Sequence, residues 1–339
     1  MSDYFLRTLF VHTAGTRLVL EGDAVRALKE DSPPRRLPLR AIDTIVVSTG
    51  VEVSNPLLLR CAEDGRIVAF VSRFGKPRAV VLGPSDGRGR VRRLQYRAHE
   101  DDGRRIELAR CFVIGKLTQM AWGLRQWARD SAGQAREGLR DRADRILVEA
   151  DAANSARGRG ELLGIEGAAS RRYFDGMATV LRDWNWTGRR RRPVTDPVNA
   201  ALSYLYGMAR ISVHGGIHVA GLDPYCGYLH GDRDGQPALV LDLLEEFRPS
   251  VDRVAVTLFN RRQLRIGHFD LDAFGTCSLS EEGREVLMNA WHTHRMSKIS
   301  PDGKIGAVAR AALPLIQANV LANSLRSGSS YAFHRLAVR

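Results

Sequence analysis

The apolar residues of this chain keep two different rhythms, and the switch between them falls in one basic, glycine-rich stretch, GPSDGRGRVR at 83–92. Ahead of it, residues 6–11, 17–20, 42–47 and 67–71 are short runs rich in β-branched and aromatic side chains, separated by turn residues, which is the pattern of strands. One short helix is expected among them. Asn55-Pro56 supplies a cap and a first-turn proline, and LLLRCAEDG carries the helix to a glycine stop. Behind the switch the period becomes helical: through 102–130, Ile106, Ala109, Phe112, Leu117, Met120, Leu124 and Trp127 recur mostly three to five residues apart. Further helices are expected over 132–152, 156–182, 196–213, 237–247, 280–295 and 303–326, with Asp196-Pro197 and Ser280 as start signals. Residues 251–260 fit helix or strand equally, and GRRRRPVTD at 188–196 fits neither. The expected fold is therefore α+β: a small N-terminal β-rich domain over 1–82, a linker over 83–92 and a larger all-α C-terminal domain over 93–339.

Charge narrows the partners. Lys and Arg number 51 against 38 Asp and Glu, a formal net charge of +13, and only five of the 51 are lysines. A chain this basic is expected to meet a polyanion, nucleic acid before others, and arginine's planar fork suits phosphate. The four cysteines, Cys61, Cys111, Cys226 and Cys277, form no CxxC pair, so neither a zinc cluster nor a disulfide framework is expected. No apolar run approaches the ~18 residues that span a bilayer, and MSDYFLRTLF lacks a basic-then-apolar leader. A cytoplasmic protein with no membrane partner is the expectation.

Two segments carry candidate chemistry. In LLGIEGAASRRYF, Glu166 stands among Gly164, Gly167, Ala168 and Ala169, which suggests a close-packed interface around a carboxylate. Such a group needs a partner, either Arg171 or Arg172 as a structural counterion or a bound cation. In GLDPYCGYLHGDRDGQPALVLDLLEEFRP, His230 ends an aromatic, glycine-rich loop, and a following helix bears Asp242, Glu245 and Glu246 beside Leu241, Leu244 and Phe247. Three and four residues apart, the acids crowd one side of a partly buried helix, where like charges repel unless a cation intervenes. Two carboxylates and an imidazole suit Mn²⁺ or Mg²⁺. Beside a basic surface, such a site implies metal-assisted phosphoryl transfer on nucleic acid.

LLGIEGAASRRYF, DPVNAALSYLYG, GLDPYCGYLH and LVLDLLEEFRP, in that order, resemble CRISPR-associated protein one, the endonuclease and integrase family of spacer acquisition, and the β-rich start matches as well. With LQYR at 94–97, the chain is similar to members from type I systems, subtype C. The resemblance implies an N-terminal β domain used for homodimerisation and a helical domain carrying the metal site. It also implies a complex with CRISPR-associated protein two, and the trimming nuclease, CRISPR-associated protein four, as a further candidate partner. The activity implied is joining of the 3′-hydroxyl ends of a captured duplex (the prespacer) to a CRISPR repeat by transesterification. The family's Glu, His and acidic ligand fall on Glu166, His230 and Glu245, with Asp242 as a helper or alternative ligand.

The resemblance also puts Tyr206 near the site, either touching DNA or as an ordinary core aromatic. Arg189, Arg190, Arg191 and Arg192, flanked by Trp184 and Trp186, are expected to bind DNA phosphates. Arg248 either clamps a phosphate or neutralises Glu245 or Glu246. YAFHRLAVR at the C-terminus reads as a tail. Two other functions fit the same sequence: a metal nuclease acting on branched or damaged DNA without integration, and a catalytically silent DNA-binding scaffold.

Overall fold

The computed structural model describes residues 8–83, 89–190, 193–231, 234–300 and 307–333. It begins with β1 (Thr8–Val11), β2 (Arg17–Glu21), β3 (Ala24–Lys29), β4 (Ser32–Pro38), β5 (Thr44–Ser48), β6 (Glu52–Val53), helix α1 (Asn55–Glu63), β7 (Ile67–Val71) and β8 (Pro77–Val81). These strands make two four-stranded sheets, ordered β1-β5-β7-β8 and β4-β3-β2-β6. The first is parallel except for β8. Pro56 sits in the first turn of α1, and Gly65, at φ 69°, turns the chain out of it as its sequence implies. The β3–β4 hairpin went unread in the sequence for a physical reason. β4 is SPPRRLP, exposed along its whole length at a sheet edge, the position that tolerates prolines and charges.

The helical part comprises α2 (Gly89–Glu100), α3 (Asp102–Arg129), α4 (Gly133–Ala152), α5 (Arg159–Val180), α6 (Pro197–Ala220), α7 (Ala238–Leu244) and α8 (Arg248–Asn260), then the hairpin β9 (Phe269–Leu271) and β10 (Cys277–Leu279), α9 (Glu281–Met296), the short pair β11 (Lys298–Ile299) and β12 (Val308–Ala309), and α10 (Leu313–Ser327). The ambiguous stretch 251–260 is helix. α2 reaches back to Gly89, earlier than periodicity suggested, and Asp101 separates it from α3 by accepting a hydrogen bond from the Arg104 amide. α6 runs on to Ala220 and ends at Gly221, whose φ of 80° favours glycine. α10 starts later than expected, because residues 308–309 pair as strand and Pro314 belongs to its first turn.

Strands β5 and β7 join the two parts. Side chains alternate across a strand. Ile45, Val47 and Val68 pack with Leu18, Leu39 and Leu57 in a core inside the β part. Val46, Ala69 and Val71 point the other way, into the large core that includes Leu117, Leu205 and Leu243. All five residues of β5 are buried, as a central parallel strand covered on both faces should be.

Candidate active site

The site is assembled where α3, α5 and the α7–α8 corner meet. α7 stops at Leu244, and Pro249, in the first turn of α8, cannot donate into a continuing helix. The corner between them holds Glu245. Its carboxylate is 2% exposed and accepts a hydrogen bond of 2.8 Å from Arg248 Nε. Glu245 Oε2 lies 2.5 Å from Lys116 Nζ on α3, yet has no hydrogen-bond partner in proper geometry. Lys116 also donates to Glu166 Oε1 on α5, and Ser170, one turn on, donates to the same oxygen at 2.8 Å. The two acids expected at the centre are thus brought together around one buried ammonium.

Glu166 is not neutralised by its neighbours in sequence. Arg172 pairs with Glu149 on α4 instead. Nor do the two glycines beside it pack against another backbone: a Cβ on Gly164 or Gly167 would meet nothing, whereas Ala169 is buried in the core. This bare flank leaves one side of Glu166 open. Arg248 is settled as the partner of Glu245, not of Glu246, which turns away and accepts a hydrogen bond from Tyr331 at 2.6 Å. Tyr331 is buried, so the start of the C-terminal run is packed and not a tail; residues 334–339 lie outside the described residues.

Asp242 has a different occupation. Its buried carboxylate accepts from the backbone amides of Tyr228, Leu229 and His230 at 2.6, 3.1 and 2.9 Å, and lies 2.8 Å from His230 Nδ1. The loop can come this close because residue 227 is glycine; a Cβ there would stand 2.8 Å from Asp242 Oδ2. Gln95 on α2 grips the other end of the loop, donating to the carbonyls of Asp223 and Cys226 at 2.8 Å each. With Nδ1 turned to Asp242, His230 keeps Nε2 for a ligand.

Burial alone would raise the Glu245 carboxyl, but Arg248, Lys116 and His230 together hold it down at about 2. Asp252 behaves oppositely. Fully buried on α8, it is pushed up to about 6 by burial, against the pull of Tyr206, Tyr173, Arg248 and Arg189. Tyr206 donates its hydroxyl to Asp252 and lies under two guanidiniums, Arg248 at 4.8 Å and Arg189 at 5.4 Å. It is a core aromatic, yet it also lines a cavity of about 580 Å³ together with Lys116, Glu166, Arg171, Arg190 and Arg248. Arg189 itself is tied to Asn199 and Ser203, at 2.8 and 3.0 Å. Arg191 and Arg192 lie outside the described residues. Of the flanking tryptophans, Trp186 is buried and packs edge-on against Phe174, and the half-buried Trp184 packs edge-on against Phe259.

Among the described residues no three His, Cys, Asp or Glu side chains converge closely enough to hold a metal ion. Two of the expected ligands, Glu166 and Glu245, nonetheless suit a hard cation, because the two carboxylates already share a positive charge between them. Lys116 and Asp252 were missed by the sequence reading. Lys116 had a signal, for it falls in the buried stripe with Phe112, Val113 and Met120. Asp252 had none, since the period of its segment was ambiguous.

The family model for CRISPR associated protein Cas1 matches residues 9–293. The chain belongs to the Cas1 family. Among Cas1 relatives, it is 34% identical over 333 residues to a CRISPR-associated endonuclease Cas1 of Rhodospirillum rubrum, covering 95% of each chain. A second, from Moorella thermoacetica, is 34% identical over 327 residues with the same coverage. In solved structures the fold matches a casposase bound to integration product (TM-score 0.83, 19% identity, 96% of this chain and 93% of that one) and a Cas1 protein from Thermotoga maritima (TM-score 0.79, 22% identity, 94% and 96%). It also matches a chain of a Cas6-RT-Cas1–Cas2 complex, covering 98% of this chain and 36% of that one at TM-score 0.80 and 20% identity. Among the described residues no helix is long and apolar enough to cross a membrane.

Proposed function

We propose that this Cas1 protein is a divalent-metal-dependent integrase that inserts captured duplex fragments into a CRISPR array, each 3′-hydroxyl end attacking a phosphodiester of the repeat. The observation that carries the reading is the pairing of Glu166 and Glu245 about a single cation in a cavity walled by Arg171, Arg190 and Arg248. Mn²⁺ or Mg²⁺ bound by Glu166, Glu245 and His230 Nε2 would supply Lewis-acid polarisation of the phosphate and help to present the attacking oxygen.

The chain's own groups do the rest. Asp242 fixes the ring of His230 through Nδ1 and holds its loop through three amides. Arg190 and Arg171 offer charge to the phosphate at the cavity wall. Tyr206, anchored by Asp252, limits how deep a strand can enter. A second hollow of about 1270 Å³ shares Arg189, Tyr206 and Arg248 with the first and adds Arg73, Lys76, Arg78 and Arg210, with no carboxylate in its lining. It is suited to a phosphate backbone leading to the site. Homodimerisation through the β domain, assembly with Cas2, cooperation with Cas4 and origin in a type I, subtype C system belong to the same proposal. The likeness to CRISPR-associated endonucleases, and to a casposase bound to integration product, supports the nuclease and integrase part of it.

The test is joining. With Mn²⁺ and a Cas2 partner, the protein should join a 3′-hydroxyl duplex to a supercoiled plasmid bearing the repeat. Glu166→Ala and His230→Ala should abolish joining while DNA binding survives. Wild-type joining by either variant would remove the assigned site. Cleavage without joining would favour the nuclease reading, and neither reaction under any divalent metal would favour a silent scaffold.

A further inference from the structure

Lys116 is the one feature of the site that a metal reading leaves unexplained. Its ammonium, 4% exposed on the buried stripe of α3, stands between Glu166 and Glu245, the position a cation shared by those two carboxylates would take. Charges balance as the site stands: Lys116 and Arg248 against Glu166 and Glu245. A divalent ion added to that set would bring a surplus of positive charge against a buried ammonium, an unfavourable contact at short range. Arg248 cannot relieve it, because it is buried, bonded to Glu245 and stacked on Tyr206. Lys116 can. It has a flexible four-carbon stem and lines the same cavity as Arg171 and Arg190, where a phosphate would sit.

We propose that Lys116 is a positioning residue that exchanges partners: it holds the two carboxylates together in the free protein and transfers to a DNA phosphate when substrate enters, vacating the place for the metal ion. The inference rests on the metal-dependent reading above and deepens it. DNA and cation then load cooperatively, and the coupling is reciprocal, each raising the affinity of the other by the same factor. In the free protein the site is weakly loaded, so phosphoryl transfer is confined to the DNA-bound state.

The test is a binding measurement on the full chain, with Mn²⁺ followed by the electron paramagnetic resonance signal of the free ion. A duplex with dideoxy 3′ ends is added so that no joining can occur, and comparing wild type with Lys116→Met on the same duplex cancels ions held by the DNA itself. In wild type, the duplex should tighten Mn²⁺ binding by about tenfold, within the usual range of such couplings. In Lys116→Met, Mn²⁺ should bind tightly without DNA, and the duplex should add little. Lys116→Gln, which keeps a donor for the carboxylates, is the second variant should the methionine destabilise the fold, and it should behave alike. The proposal is overturned if DNA leaves wild-type affinity unchanged, or tightens the variants as much as wild type. Binding of Mn²⁺ that is lost in Glu166→Ala but indifferent to DNA would overturn the exchange and leave the metal site standing. No binding that depends on Glu166, with or without DNA, would overturn both.

Discussion

A single carboxylate, Asp252, gives the molecule a pH signature. Burial raises its pKa from 3.8 to about 6. An acid whose folded-state pKa is raised binds its proton more tightly when folded, so its contribution to stability is complete below the unfolded value and falls away as pH rises through the folded one. Glu245 runs the other way, because its pKa is lowered from 4.5 to about 2. Its contribution is present above the unfolded value and is lost as pH falls toward the folded one. Asp252→Asn keeps an acceptor for Tyr206 and removes the titration. The difference in stability between variant and wild type, taken from urea midpoints at pH 4 to 7.5, should therefore grow with pH in the variant's favour by on the order of 2 kcal/mol. An identical slope in both proteins would show that Asp252 is not the titrating group. At this scale the motifs single out Glu166, His230 and Glu245, but not the counterion of Glu166. Lys116 is 50 residues away, a charged residue in the buried stripe of α3 whose partner the spacing does not reveal. Asp242, offered by the sequence as a possible ligand, has its carboxylate engaged by a loop 12 to 14 residues back, a relation that spacing alone cannot reveal.

Among elements, long amphipathic helices were legible and their junctions were not. The expected helix over 237–247 is in fact α7 plus a corner, and the corner is what carries Glu245. The edge strand β4 escaped because it is too polar to show alternation. α6 depends on close contact: a Cβ on Gly207 would overlap the carbonyl of Gly75 in the turn before β8. Gly207→Ala should therefore destabilise the protein by about 1–3 kcal/mol in chemical denaturation, the usual cost of overpacking. Gly167→Ala, on the open flank of α5, should instead stabilise by up to about 1 kcal/mol, since alanine is the better helix former. If both substitutions moved stability the same way, the packing described for α6 and α5 would be wrong for one of them.

For the molecule as a whole, the sequence conveyed the order of a β part before a helical one, and the charge of +13 is the ground for expecting a polyanionic partner. It could not show that basic side chains from both parts, Arg73, Lys76 and Arg78 from one and Arg189, Arg210 and Arg248 from the other, line a single hollow. Affinity for duplex DNA should fall steeply with salt, and Arg78→Ala should reduce the slope of log K against log salt by about 0.9 if that side chain meets one phosphate. An unchanged slope would place the DNA elsewhere. The sheet of β1, β5, β7 and β8 carries a further consequence. Its central strands, β5 and β7, have no outside: hydrocarbon on one surface is owed to one interior, and hydrocarbon on the reverse to the other. Severing the chain in its glycine-rich junction would strip cover from each piece, so separately expressed halves should aggregate and co-expressed halves should find one another. Strain imposed on the first hundred residues, by whatever grips them, has a stiff two-sided plate through which to reach α6 and the buried pair of Glu166 and Glu245 beyond it.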